Sequence, residues 1–213
     1  MKVLAKALGK SLPTIPNRDE VKNMLDPYKA MRKITMCPGC PHRSSGYAVK
    51  KAIEELNYGD YIGVGDIGCY GMMGLPPLGA FSLTNCMGGS LGIANGVAQT
   101  GIKQPVIAYI GDSTFFHAGI EPVMNAAYHN ANVLLIVLDN SWVAMTGHQP
   151  HPGTGFNAIG EPTEEIKIAD VARACGVKNV KVVDPYSMKE MMETVKEFLE
   201  KPDVSVIVAK RKC

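Results

Sequence analysis

A chain of 213 residues that is 46% hydrophobic and 20% charged carries enough apolar side chain for one sizeable core, which excludes a disordered or fibrous protein. Its 22 Lys and Arg are interspersed with 20 Asp and Glu for a net charge of +2, so no basic face is expected for nucleic acid or an anionic membrane, and small anions or other proteins are the expected partners. Lys6 and Lys10 interrupt the N-terminal apolar stretch before it reaches signal-peptide length, and the strongest apolar run, Val133–Leu138, falls far short of the roughly 20 residues a bilayer requires. A cytoplasmic protein with no membrane segment is expected, its six cysteines reduced, so that a close Cys pair points to metal or redox chemistry.

Residues 1–35 read as an arm or linker: a short surface helix at Met1–Lys6, then a polar stretch interrupted by Pro13, Pro16 and Pro27 without a sustained hydrophobic period. Residues 36–213 read as one domain. It opens on Cys37-Pro38-Gly39-Cys40-Pro41, a CxxC whose prolines and glycine enforce a turn that presents two thiolates to one metal. Two further ligands are needed, and Cys69 and Cys213, each just beyond a strand, are the candidates. Cys86 and Cys175 read as free buried thiols. Spacing alone leaves an iron–sulfur cluster and a zinc site with His42 equally open, while a thioredoxin-like pair lacks the N-terminal strand it needs.

A helix near Ser44–Leu56 and a strand near Tyr61–Val64 follow. Gly63–Gly68 matches GxGxxG, but the Gly- and Pro-rich segment after it cannot start the required helix, so a dinucleotide site is not expected. Next come a small-residue helix at Gly89–Thr100, a strand at Pro105–Ile110, a helix around Ile120–His129 and a strand at Val133–Leu138. Helix Glu164–Cys175, strand Val180–Val183, helix Met188–Glu200 and strand Val204–Val208 complete the chain. This alternation, with continuous Val/Ile/Leu strands, predicts an α/β fold: a mostly parallel sheet with helices on both faces and ligands beyond the carboxyl ends of its strands.

Two polar pairs leave neighbouring strand ends in that scheme, Gly111-Asp112-Ser113-Thr114 and Asp139-Asn140. Each alone is an ordinary strand terminator. Together, Asp112 and Asn140 offer a carboxylate and an amide oxygen to a hard cation such as Mg²⁺, which borrows its remaining ligands from a phosphate. The free amides of the 112–114 turn favour a diphosphate. The loop Ala144–Gly155, rich in small and polar residues, is expected to border the same ligand, with His148 and His151 serving as hydrogen-bonding groups rather than as a zinc pair.

In this order, Cys37–Arg43, Gly65–Tyr70, Cys86–Gly88, Gly111–His117 and Asp139–Asn140 with Thr146–Gly155 resemble the thiamine-diphosphate-binding domain of the 2-oxoacid:ferredoxin oxidoreductases, in particular their indolepyruvate branch. The resemblance runs from Cys37 to Cys213. Ser113 and Asp139 depart from the Gly-Asp-Gly and Asn-Asn of the thiamine-diphosphate motif. The resemblance implies a thiamine-diphosphate-binding fold in which Gly111, Asp112, Ser113, Thr114 and Asn140 hold the cofactor and Cys86, Met87, Gly88, Thr146 and Gly147 border it. It further implies Mg²⁺ on Asp112, Asn140 and the backbone carbonyl of Trp142, and a [4Fe–4S] cluster on Cys37, Cys40, Cys69 and Cys213. It assigns no catalytic side chain to this chain.

The implied reaction is oxidative decarboxylation of a 2-oxoacid, an arylpyruvate for the indolepyruvate branch, to an acyl-coenzyme A, with electrons leaving through the cluster to ferredoxin. The family's activating glutamate lies on a pyrimidine-binding domain that 213 residues do not accommodate, so a hetero-oligomer with a domain or subunit supplying it is expected. A non-redox thiamine-dependent decarboxylase subunit and a catalytically inert assembly subunit are the alternatives, the latter supported only by Ser113 and Asp139.

Overall fold

The computed structural model describes residues 2–11, 17–30 and 34–213, which fall into two compact units, 1–34 and Thr35–Cys213. The first unit holds helices α1 (Lys2–Ala7) and α2 (Arg18–Leu25). Expectations at Met1, Pro13 and Pro16 lie outside the described residues. Helix α2 was not anticipated, yet its start signal is local: Asn17 Oδ1 accepts a hydrogen bond from Asp19 N at 3.1 Å, and Asp19 and Glu20 occupy the first turn. Its short apolar set, none of it buried, was too brief to register as a period.

The second unit is built on α3 (Pro41–Glu55), β1 (Ile62–Gly65), β2 (Leu83–Thr84), α4 (Gly89–Gln99), β3 (Val106–Gly111), α5 (Asp112–Thr114), α6 (Ile120–Tyr128), β4 (Leu134–Asp139), α7 (Ile168–Ala174), β5 (Asn179–Val183), α8 (Met188–Leu199) and β6 (Ser205–Lys210). The six strands form one sheet in the order β2-β1-β3-β4-β6-β5, and every pairing is parallel. The expected α/β architecture is what the chain adopts.

Alternation along β3 and β4 explains the two cores. Ile107, Tyr109, Leu134, Ile136 and Leu138 point to one face, where Ala48 and Val49 of α3 and Met191 and Val195 of α8 cover them. Val106, Ala108, Ile110, Leu135 and Val137 point to the other, beneath Leu91 and Ala94 of α4, Val123 and Ala126 of α6 and Ile168 and Ala172 of α7. Both faces of each strand are therefore apolar, which is why these strands read as continuous runs.

Three boundaries differ from expectation. Helix α3 starts at Pro41 rather than Ser44, because proline at the first helical position gives up no intrahelical bond. Helical backbone begins at Asp112, directly after β3, and passes through a wide π-helical stretch, Phe115–Gly119, before α6. Helix α7 begins only at Ile168, since Ile166 N is engaged by Pro152 O at 3.0 Å and Glu165 reaches Lys210.

Candidate functional site

Strand β2 lies on one side of β1 and β3 on the other, so the chain reverses direction across the sheet here and leaves a crevice beyond the strand ends. A hollow fills this crevice, walled by Ile67–Tyr70 after β1, Gly111–Thr114 after β3, Leu138 and Asn140 at the end of β4, and Trp142–Thr146, with His42 and Met87 closing it. Of the residues assigned to cofactor or cation from the sequence, Gly111, Asp112, Ser113, Thr114, Asn140, Trp142, Met87 and Thr146 line it. Cys86, Gly88 and Gly147 are not among its lining residues. Gly88 caps the N-terminus of α4 with φ +81°, and Cys86 is exposed rather than buried.

Asp112 is 4% exposed. Its Oδ1 accepts from Ser113 N at 2.8 Å and its Oδ2 from Asn140 N at 3.1 Å, so the carboxylate joins the ends of β3 and β4. Asn140 Oδ1 in turn accepts from Trp142 N at 3.1 Å. Each of these oxygens keeps a lone pair for a cation. No Lys or Arg among the described residues pairs with Asp112, so its buried charge lacks the cation such burial calls for.

The nearest candidate is the ring of His151, whose Nε2 lies 3.1 Å from Asp112 Oδ2 but too obliquely to hydrogen-bond, and which is buried. Gly153 N donates to His151 Nδ1 at 3.1 Å, so that nitrogen is an acceptor and the ring proton sits on Nε2. A carboxylate with spare lone pairs and an adjacent amide oxygen fit a Mg²⁺ ion bound together with a diphosphate, and the buried His151 ring lies close beside that carboxylate.

Three further groups hold the walls, and only spatial proximity brings them into the site. Asp66 is fully buried, its Oδ1 accepting from Ile67 N (2.7 Å) and Gly88 N (3.0 Å) and its Oδ2 from Ser90 N (3.2 Å), which anchors α4 to β1. Tyr70 Oη accepts from Gly111 N at 2.9 Å and donates to Ile67 O at 3.2 Å. Burial pushes the Tyr70 phenol well above its ordinary range, so it stays protonated.

His42 contacts the edge of the Tyr70 ring, and its Nε2 lies 3.3 Å from Asn140 Nδ2. Burial holds the His42 imidazole down to about 4, against a weaker upward pull from Asp112, so the ring is neutral at physiological pH. The sequence offered His42 only as an optional zinc ligand; its place beside Asn140 follows from α3 starting one residue after Cys40.

A second hollow adjoins the first. It is lined by Met36–His42, Cys69, Met72, Asn140, Ala144, Lys212 and Cys213, so all four cysteines proposed as cluster ligands face one space. Burial raises the Cys40 thiol, partly offset by the backbone N–H groups of His42 and Arg43, and Cys213 and Cys37 raise it further. Cys69 is raised by burial and then by Cys40, Cys213 and Cys37. Cysteines facing one space are the donor set that a metal cluster takes. Among the described residues, no three His, Cys, Asp or Glu side chains are drawn together tightly enough to grip a single metal ion. Cys175 sits apart, half-buried at the end of α7.

Comparison with known proteins agrees with this geometry. Residues 66–209 match the family described as thiamine pyrophosphate enzyme, C-terminal TPP binding domain. The indolepyruvate oxidoreductase subunit IorA of Archaeoglobus fulgidus is 43% identical over 215 residues, covering 99% of this chain and 33% of that protein. The corresponding Pyrococcus horikoshii subunit is 42% identical over 227 residues, 100% of this chain and 34% of that protein. The 2-oxoglutarate synthase subunit KorB of Methanocaldococcus jannaschii is 26% identical over 186 residues, 83% of this chain and 68% of that subunit.

Among solved structures, the 2-oxoglutarate:ferredoxin oxidoreductase of Magnetococcus marinus superposes with a TM-score of 0.76 at 22% identity, over 88% of this chain and 67% of that one. The benzoylformate decarboxylase of Polynucleobacter necessarius gives 0.57 at 18% identity, over 86% and 35%, which likewise speaks to the fold. The chain spans about a third of the length of its indolepyruvate oxidoreductase relatives. A parallel sheet that carries Asp112 and Asn140 on the adjoining ends of β3 and β4, together with these matches, places the chain in the family of C-terminal thiamine-pyrophosphate-binding domains of thiamine pyrophosphate enzymes.

Proposed function

We propose that the chain is the cofactor-binding part of a 2-oxoacid:ferredoxin oxidoreductase acting on arylpyruvates such as indolepyruvate, and that it holds thiamine diphosphate, Mg²⁺ and a [4Fe–4S] cluster. The observation that carries this reading is the common wall of the two hollows: His42, Cys69, Asn140 and Ala144 line both. A decarboxylating cofactor and a one-electron acceptor have to stand next to each other, and these two spaces do.

When bound, thiamine diphosphate supplies the electron sink for decarboxylation and the cluster supplies low-potential single-electron acceptance. The chain's own residues do the rest. Asp112, Asn140 and the carbonyl of Trp142 would hold the Mg²⁺, and the helical turn at 112–114 would favour the charge of the diphosphate. Tyr70 fixes that turn through Gly111. Neutral His42 presents a hydrogen-bonding edge between the two spaces without adding a charge, and Ile67, Met87 and Met145 contribute apolar lining. Cys37, Cys40, Cys69 and Cys213 ligate the cluster.

The activating glutamate would come from a pyrimidine-binding domain or subunit, and coenzyme A and ferredoxin, in the cytoplasm, would be the acyl and electron acceptors. The subunit names of the relatives support a hetero-oligomer. Among the described residues no helix is long and apolar enough to cross a membrane.

The test is anaerobic purification of the full assembly. Brown protein with about four irons per chain is expected. It should reduce a viologen dye when given an arylpyruvate, coenzyme A and Mg²⁺-thiamine diphosphate, and Asp112→Ala should abolish cofactor binding while leaving the iron in place. Stoichiometric zinc without iron would make the chain part of a non-redox decarboxylase. Failure to bind thiamine diphosphate, unaltered by Asp112→Ala, would make it an inert assembly subunit.

A further inference from the structure

The segment leaving β6 lines the second hollow through Lys212 and Cys213 and is bonded to Asn140, which lines both. Asp139 and Lys210 are direct cross-strand partners, and Lys210 Nζ lies 3.7 Å from Asp139 Oδ2 and 2.8 Å from Glu165 Oε1. Beyond the strand, Arg211 N donates to Asp139 O at 2.9 Å and Cys213 N donates to Asn140 O at 3.1 Å. The backbone of the two residues that form the cation-side loop is thus the backbone on which Cys213 hangs.

The same segment reaches the CxxC turn from the other side. The Arg211 guanidinium stacks 4.0 Å from the centre of the Tyr186 ring and pairs with Asp184, and the Tyr186 hydroxyl donates to Gly39 O, inside the Cys37–Cys40 turn. Arg stacked on an aromatic ring is a planar, pre-organised contact, which together with the Asp184 pairing gives this path a defined geometry. Asp139 is 6% exposed and its Oδ1 is already engaged by Ser141 N at 3.0 Å, so the carboxylate cannot swing away from Lys210 without disturbing the loop.

We propose that Lys210–Cys213 is a strap that couples the two cofactor sites, so that occupancy of the Asp112–Asn140 site holds Cys213 and the CxxC turn in place around the cluster, and a loaded cluster tightens the Asp112–Asn140 site in return. Asp139, Lys210, Arg211 and Tyr186 are positioning residues: they touch neither cofactor and act through the backbone of Asn140, Cys213 and Gly39. The inference rests on the proposed function, which supplies the two occupants. It goes beyond that function in making each site's affinity depend on the other. Such coupling is reciprocal by thermodynamic necessity.

The experiment follows extraction of iron by a strong ferrous chelator from the anaerobic full assembly, with and without saturating Mg²⁺-thiamine diphosphate. Extraction from the wild type is expected to slow about fivefold or more when the cofactor is bound. In Lys210→Met, and separately in Tyr186→Phe, starting iron content should match the wild type, while the cofactor slows extraction by less than about twofold, half or less of the wild-type effect. Lys210→Arg should restore the effect. Tyr186→Phe removes one hydroxyl at the surface, so it reports on the strap even where Lys210→Met fails to fold.

Variants protected as fully as the wild type overturn the strap, as does a wild type whose iron loss is indifferent to the cofactor. A wild type without iron, or one that does not bind thiamine diphosphate, overturns the proposed function and the strap with it, so the two failures are told apart.

Discussion

A buried carboxylate that serves three backbone N–H groups cannot be replaced by its own amide, because an amide offers one acceptor atom and turns two donors toward the chain. Asp66 is such a group. In Asp66→Asn the amide nitrogen faces either Ser90 N or the pair Ile67 N and Gly88 N, leaving at least one donor unsatisfied. The expected cost is about 2–3 kcal/mol of stability, read as a lower urea midpoint at unchanged slope. His151 tests a different property. His151→Phe keeps a ring against Phe116 but loses the N–H beside Asp112, so Mg²⁺ affinity is expected to fall about tenfold, measured by titration in the presence of thiamine diphosphate. Asp112 and Asn140 were legible because each follows an apolar strand directly, which fixes both at the same end of a parallel sheet. Asp66, Tyr70 and His42 were not, since their roles depend on partners 22, 41 and 98 positions away, which no local pattern reveals; His151 was expected to border the ligand, but not to lie against Asp112, 39 positions away.

Elements are held at the site by close approach, as where α4 meets the stretch between α5 and α6. Gly88 sits at φ +81°, and a Cβ there would stand 2.4 Å from the Ala118 Cβ. Gly88→Ala therefore combines left-handed strain with a clash, and about 1–3 kcal/mol of stability should be lost. Adding Ala118→Gly removes the clash and leaves the strain, so the double variant should recover part of the loss in thermal unfolding. If it recovers none, the contact is not the cause. Strands β1, β3, β4, β5 and β6 were all legible, as were α3, α4, α6, α7 and α8, because each buries a recognisable apolar face. Strand β2 was not, being a two-residue exposed edge, and the helical turn at Asp112 was not, because its residues are polar and read as loop. The late start of α7 belongs to the same class: residues 164–167 are held extended by bonds to Pro152 and Lys210, which propensity alone cannot foresee.

At the scale of the whole molecule, alternation of strand and helix was enough to give a parallel α/β sheet, whereas the strand order, with β6 inserted between β4 and β5, depends on crossover choices that leave no mark in composition. What composition does mark is where the core begins. Among the described residues the buried apolar side chains start at Met36, and both core clusters draw only on residues from Met36 onward. Helix α2 buries nothing, and Met24, Leu25 and Tyr28 are 73%, 54% and 84% exposed. No described residue of 1–34 belongs to either core cluster, and changes that leave a core untouched shift stability by only about 0.5 kcal/mol. With residues 1–34 removed, the shortened chain is expected to fold with the circular dichroism of the parallel sheet intact and a Tm within about 2 °C of the full chain. A larger drop, or loss of cooperative unfolding, would mean that the 36–213 domain draws on the arm for its stability, and the proposed boundary at residue 35 would have to move.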